Sequence, residues 1–392
     1  MPSGPYFLMY FGEKTKKKTW NSPQMLMIAL LAFIIVLLIT GSSHASEGYV
    51  EIKAEEILNK IEMGEPVEYD HVLVQGDLNL SSLNLSKIGG TQGSITAPVE
   101  IKQSIINGSV DFEGIIFSKP STFESTIFSG DASFARTDFQ DSVSFENARF
   151  GRAADFDEAK FEGDANYNKA EFVGVSSFYL ADFKGDANFY TTTFDTDANF
   201  NKAAFDGDAF FDGAQFATYA NFENAKFEGE ASFYQAKFNW NTNFANAKFD
   251  GMTYFSDALL REESGFESIQ SNRYLSFEGT QFGGDADFKS AQFSGYISFL
   301  GANFNSMLTL NDTQFSSLQV GWDAIKDHLV YNEAVYVALI KNFESLGYFR
   351  DADNCYYQYR LYNQAQETSL GTKAIDVLAW ISCGYGVRPT YT

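Results

Sequence analysis

The sequence predicts an all-β solenoid, a stack of short strands wound around a phenylalanine core. Three observations carry that prediction. Stepping alternately by five and six residues from Phe112 reaches 38 positions ending at Phe315, and 34 of them are Phe. The exceptions are Tyr167, Leu260, Ser271 and Leu310, and the register never slips, even through the degraded stretch from Ser256 to Arg273. The residue two before each position is Ala in 21 cases and otherwise Ser, Thr, Val, Ile or Leu. Finally, no proline lies between Ser121 and Arg388, as expected of a long ladder in which every nitrogen must donate.

A small residue followed two places later by Phe puts both side chains on one side of an extended segment, because alternate residues of a strand share a face. A helix does not fit. At about 100° per residue the four inward positions of an eleven-residue unit would fall near 0°, 200°, 140° and 340°, so no face would be apolar. Each unit therefore reads as one short strand plus a turn. Gly163, Gly185, Gly207, Gly229 and Gly251 recur every 22 residues at the longer step. That recurrence predicts a coil of 22 residues, with glycine at one corner to supply a positive φ.

The repeated A-x-F units resemble the pentapeptide-repeat family, whose motif is A-x-[L/F]-x-x. The resemblance covers about 204 residues and implies a four-sided, right-handed β-helix. This chain differs in using Phe for Leu and in adding one residue to every second unit, which enlarges two opposite corners. About nine coils are expected, some 40–45 Å of solenoid at ~4.8 Å per strand. A buried Phe contributes about 1.5–3 kcal/mol, and rings in successive coils can stack.

Ahead of the array, Lys14, Lys16, Lys17 and Lys18 precede 15 apolar residues, 25–39, and then Ser43-His44-Ala45. Residues 1–45 thus read as a signal peptide cut after a small-x-small site, or as an uncleaved anchor helix. Fifteen apolar residues fall short of the ~20 of a typical span. Both readings place the remainder outside the cytoplasm, secreted or membrane-anchored. Residues 46–111 are expected to cap the array, with a helix over 50–63 along Ile52, Ile57, Leu58 and Ile61, then a strand over 76–85. After the β-helix (112–317), residues 318–392 read as a helical cap. Helices over 322–346, ended by Gly347, and over 350–367 form an αα-hairpin.

Four of the 28 basic and one of the 51 acidic residues lie in the first 45, leaving 24 basic and 50 acidic groups beyond. Such an excess argues against binding nucleic acid. Cys355 and Cys383 are the only cysteines, so they form one bridge or remain two thiols. No nucleophile–base pair, zinc spacing or phosphate loop is present, which predicts a non-enzymatic protein without cofactor or bound metal. Asp164, Asp186, Asp208 and Glu230 follow the corner glycines at 22-residue intervals. They are expected to form an acidic ladder on one edge, a candidate site for weak calcium.

The ending Trp380-Ile381-Ser382-Cys383-Gly384-Tyr385-Gly386-Val387-Arg388-Pro389 is similar, together with the hairpin, to the segment preceding two membrane helices in pentapeptide-repeat proteins with an ion-channel-like pore. The expected function is an exported, rigid binding or spacer module with a protein partner still to be identified. One alternative is an accessory or sensor domain of an ion-channel-like membrane protein. A second, suggested by acidic members of the family that mimic DNA, is a topoisomerase binder, which the export signal disfavours.

Overall fold

The computed structural model describes residues 48–81, 83, 85–88, 92–366 and 368–387. The signal or anchor helix read over residues 1–45 lies outside them. Among the described residues, no helix is long and apolar enough to cross a membrane.

Residues 50–319 form a parallel β-solenoid with four short strands per coil, as in Ala132–Ser133, Asp138–Phe139, Val143–Ser144 and Arg149–Phe150. Each strand pairs with the one 22 residues on: Phe139 lies beside Phe161, Phe161 beside Phe183 and Phe183 beside Phe205. One sheet contains 12 strands, running from Val50–Lys53 to Asn303–Phe304. The coil of 22 residues is as expected, but there are about twelve turns rather than nine, or ~53 Å at the usual strand spacing. The extra turns escape the Phe pattern because aliphatic residues take its place. Val74 aligns with Ile106, and Ile106 with Phe128, all fully buried. Residues 50–53, read as helix, are instead the first strand, pairing with Val72–Gln75. Of the predicted strand over 76–85, only Leu78–Asn79 is one among the described residues. Between the second and third turns the step lengthens, Leu78 pairing with Val110, and part of the inserted chain folds as an antiparallel hairpin of Ser86–Ile88 with Gln92–Ile95.

Inside, the aromatic rings form four columns. Phe178, Phe200 and Phe222 stack in parallel with centroids 4.8 Å apart and planes within 2°, a separation wider than ring contact that leaves the rings offset. Rings of neighbouring columns meet edge-on, as Phe189 and Phe200 do at 5.4 Å and 88°. Both geometries suit the ring quadrupole. Tyr167 occupies a Phe place, fully buried between Phe145 and Phe189. Its hydroxyl has no hydrogen-bond partner, and burial pushes its ionisation up. Tyr167→Phe should therefore raise stability by about 1–2 kcal/mol, the cost of an unmet buried hydroxyl; an unchanged denaturation midpoint would show that the group is satisfied.

Two turns per coil place a residue in the left-handed region at strict eleven-residue intervals. Most are not glycine: Arg136, Asn147, Glu158, Lys169, Leu180, Thr191 and Lys202 have φ between 52° and 60°. Apart from Asn147, such residues cost about 1–2 kcal/mol each, which the pairing of the strands on either side offsets. Thr191 is the most strained chemically, β-branched at φ 52° with an unpartnered buried hydroxyl. Thr191→Asn should stabilise by about 1 kcal/mol, because Asn tolerates this region; a lower melting temperature would contradict the assignment.

Both ends are closed. Helix α1 (Ala54–Met63) buries Ala54, Ile57 and Ile61 and ends at Gly64, whose φ of 71° stops the helix. At the other end the segment predicted as one helix over 322–346 splits into α2 (Trp322–Ile325) and α3 (Glu333–Ser345). It breaks because the chain between them pairs with the last coil: Leu308 N donates to His328 O and Val330 N to Leu308 O. Asn342 of α3 is buried and mimics a further strand, its amide donating to Leu318 O at 2.7 Å and accepting from Leu318 N at 3.0 Å. Helix α4 (Phe349–Gln366) completes the expected hairpin with α3, and α5 (Leu370–Cys383) follows.

Candidate functional site

The acidic ladder lies at one of the two corners where each coil takes a six-residue step. The strands that follow it are in register, Ala165 beside Ala187 and Ala187 beside Ala209, so Asp164, Asp186, Asp208 and Glu230 stack in one row. Three of the four carboxylates accept from the backbone of the next coil. Asp164 Oδ1 accepts from Asp186 N at 3.0 Å, Asp186 Oδ1 from Asp208 N at 2.9 Å, and Asp208 Oδ1 from Glu230 N at 2.8 Å.

The glycine beside each carboxylate has a different reason from the one its recurrence suggested. None of Gly163, Gly185, Gly207, Gly229 and Gly251 has positive φ. A Cβ on Gly207 would sit 2.5 Å from Gly185 O, and one on Gly185 would sit 2.6 Å from Gly163 C. Glycine is required because the coils touch backbone to backbone at this corner, not because the turn is left-handed. The Gly-Asp-Ala triplet is thus a stacking unit: Gly admits the preceding coil, Asp binds the N–H of the following one, and Ala turns inward.

The opposite corner uses the same device less regularly. Asp131 Oδ1 accepts from Ala153 N, Asp197 Oδ1 from Tyr219 N, and Asp285 Oδ1 from Met307 N. Near the N-terminal end, Asp77 accepts from both the backbone and the hydroxyl of Ser109. Those bonds hold its carboxyl below the ordinary range. Its folded-state preference for the charged form is therefore present above the ordinary carboxylate range and lost as pH falls through the lowered value. Glu230 goes the other way: burial, helped by the Asp208 and Asp212 charges, raises it.

One oxygen of each bonded carboxylate is committed, so a cation on the ladder would meet the remaining ones. Among the described residues, no group of three or more His, Cys, Asp or Glu side chains gathers as a metal site. Calcium titration against Asp186→Asn/Asp208→Asn separates the two roles, because an amide oxygen keeps the backbone bond while removing the charge. A rise in melting temperature in the parent and not in the variant would establish the cation. Identical curves would leave coil clasping as the whole role.

A second feature was not foreseen. The outward column Asn199, Asn221, Asn243 is interrupted by Gly265 before Asp287. The missing side chain opens a recess of about 460 Å³ bordered by Glu223, Glu263, Glu267, Asp285 and Asp287. The signal was Gly265 itself, the one glycine in a column otherwise carrying polar side chains, but its place became visible only with the register. Elsewhere, Cys355 is a free thiol, fully buried in α4, and burial pushes its ionisation up. His328 bonds through Nδ1 to Ser306 O at 3.0 Å as part of the C-terminal closure.

Comparison with known families gives a match over much of the solenoid. The model described as pentapeptide repeats (9 copies) matches residues 101–149, 145–193, 189–236 and 272–314. The unmatched interval 237–271 includes most of the degraded stretch, yet its strands stay in register, Lys237 pairing with Leu259 and Lys248 with Gln270. Neither the comparison with curated proteins nor that with solved structures returns a match.

Proposed function

Because the chain is a pentapeptide-repeat protein, a solenoid of the kind that serves as a generic binding or structural module, we propose that it is an exported, non-enzymatic, rigid module that holds a protein partner. The observation that carries this reading is the unbroken stack of coils closed at both ends. Successive coils are tied by the parallel ladders, the aromatic columns and the corner carboxylates together, so the outward faces keep fixed spacings. A surface of that kind suits recognition by position rather than chemical turnover. Its acidity and the carboxylate-rimmed recess at Gly265 favour a partner that presents Lys or Arg side chains.

The export part of the proposal rests on the lysines and apolar run of residues 14–39. A tagged full-length chain, expressed in its own cell type and fractionated, should appear outside the cytoplasm or in the membrane fraction. Recovery in the cytoplasm alone would end the export reading and bring the topoisomerase alternative forward. A second reading, an accessory domain of an ion-channel-like membrane protein, draws support from the helices α3 to α5 that follow the solenoid. Co-purification of a multi-span membrane protein with the tagged chain would favour it.

A further inference from the structure

Helix α5 turns its polar side toward its own fold. Asp376 pairs with Arg360 of α4, and Trp380 Nε1 donates to the Tyr357 hydroxyl at 2.7 Å. Arg360 also lies 4.9 Å over the ring of Tyr385, just past the helix end. Ser369 caps the start by accepting from Thr372 N, and Gly384 closes the end with φ 53°. The other side carries Ile375, Leu378 and Ile381 in steps of three, with 69%, 66% and 58% of their surfaces exposed among the described residues. Surface helices ordinarily turn such a stripe inward.

We propose that this face of α5 lies on an uncharged phospholipid surface, parallel to the membrane plane, with Ile375, Leu378 and Ile381 among the acyl chains. Charge selects this occupant first. The helix holds only Lys373 and Asp376 as charged residues, and Asp376 is bound to Arg360, so the stripe is free of carboxylates in a chain of formal charge −23. Area selects it again. Three side chains supply a few hundred Å², under the roughly 800 Å² per partner of a stable protein interface, and two copies of so acidic a chain repel. A bilayer requires no matching patch. Fourteen residues make a helix about 21 Å long, too short to span but long enough to lie in the interface. The placement holds on either side of a membrane and does not depend on the export reading.

The test uses the full chain carrying Leu378→Cys and Cys383→Ser, labelled with an environment-sensitive fluorophore and bound to phosphatidylcholine vesicles. Emission should shift to the blue and fall about twofold when the acyl chains are brominated. The same label on Tyr190→Cys, a site 48% exposed on the solenoid, should not respond. Adding Ile375→Gln and Ile381→Gln should abolish the quenching while the melting transition stays in place. Equal emission on brominated and plain lipid at position 378, in protein recovered with the vesicles, overturns the proposal. A blue shift that appears without lipid and grows with protein concentration overturns it too, by assigning the face to a second copy.

Discussion

Phe200→Asp is expected to unfold the middle of the solenoid. The Phe200 ring is fully buried, stacked at 4.8 Å on both Phe178 and Phe222 and met edge-on by Phe189 and Phe211 at 5.4 Å. Truncating such a ring costs about 3–5 kcal/mol, and a carboxylate in its place has no partner for its charge. Coils interact only with their neighbours, so the damage should stay local and split one melting transition into two. The outward neighbour provides the comparison. Asn199 accepts from Asn201 N at 3.1 Å and donates to Ser177 Oγ at 3.3 Å, so Asn199→Lys should cost only about 1 kcal/mol. Equal shifts from the two changes would refute the inward placement of Phe200.

Gly207→Ala is expected to be nearly as harmful for one added methyl. The new Cβ would press on Gly185 O at 2.5 Å and on Asp186 N at 2.9 Å. Both are backbone atoms of the preceding coil; Asp186 N is tied to Asp164 Oδ1 and Asp208 N, beside Gly207, to Asp186 Oδ1, so the two coils cannot part to make room. Overpacking of this kind costs about 1–3 kcal/mol, and more where the neighbours are rigid. Asn substitutions distinguish this cause from a left-handed turn. Gly114 has φ 67° and open space around its Cβ position; Gly114→Asn should be close to neutral, because Asn adopts that region readily. Gly207→Asn should fare no better than Gly207→Ala. Recovery of stability with Asn at 207 would mean that the turn, not the contact, requires glycine there.

The two glycine classes show where reading the chain reached its limit. The interval of 22 residues was legible from Gly163 to Gly251, and it located the corner correctly. The cause was not, because close approach involves an atom one coil away, whereas φ is a local property. The left-handed positions were illegible for the complementary reason. Gly, Asn and Asp hold some of them, but others carry Arg, Glu, Lys, Leu, Ser and Thr, residues which hide the eleven-residue series and whose own preference is against that conformation. Only the strands paired on either side impose it. The acidic ladder was legible as a row, but each bonded carboxylate binds the backbone N–H of the neighbouring coil, a partner absent from any one-dimensional pattern.

What the chain determines by itself is whatever repeats along it. The alternation of small residue and Phe specifies strands with one face inward, and the alternating steps of five and six specify four strands in 22 residues. Both follow from side-chain direction along an extended backbone. Tertiary structure decided where the repeat stops being visible but continues physically. Leu80, Ile95, Ile101 and Ile106 are buried as the later rings are, extending the core without the Phe signature because a solenoid interior selects for apolar volume rather than for one residue type. It also decided that 322–346 breaks in two, since Leu308 offers an unpaired strand edge that helix geometry cannot satisfy, and that α5 shows its apolar stripe outward, since Arg360 and Tyr357 hold its polar side.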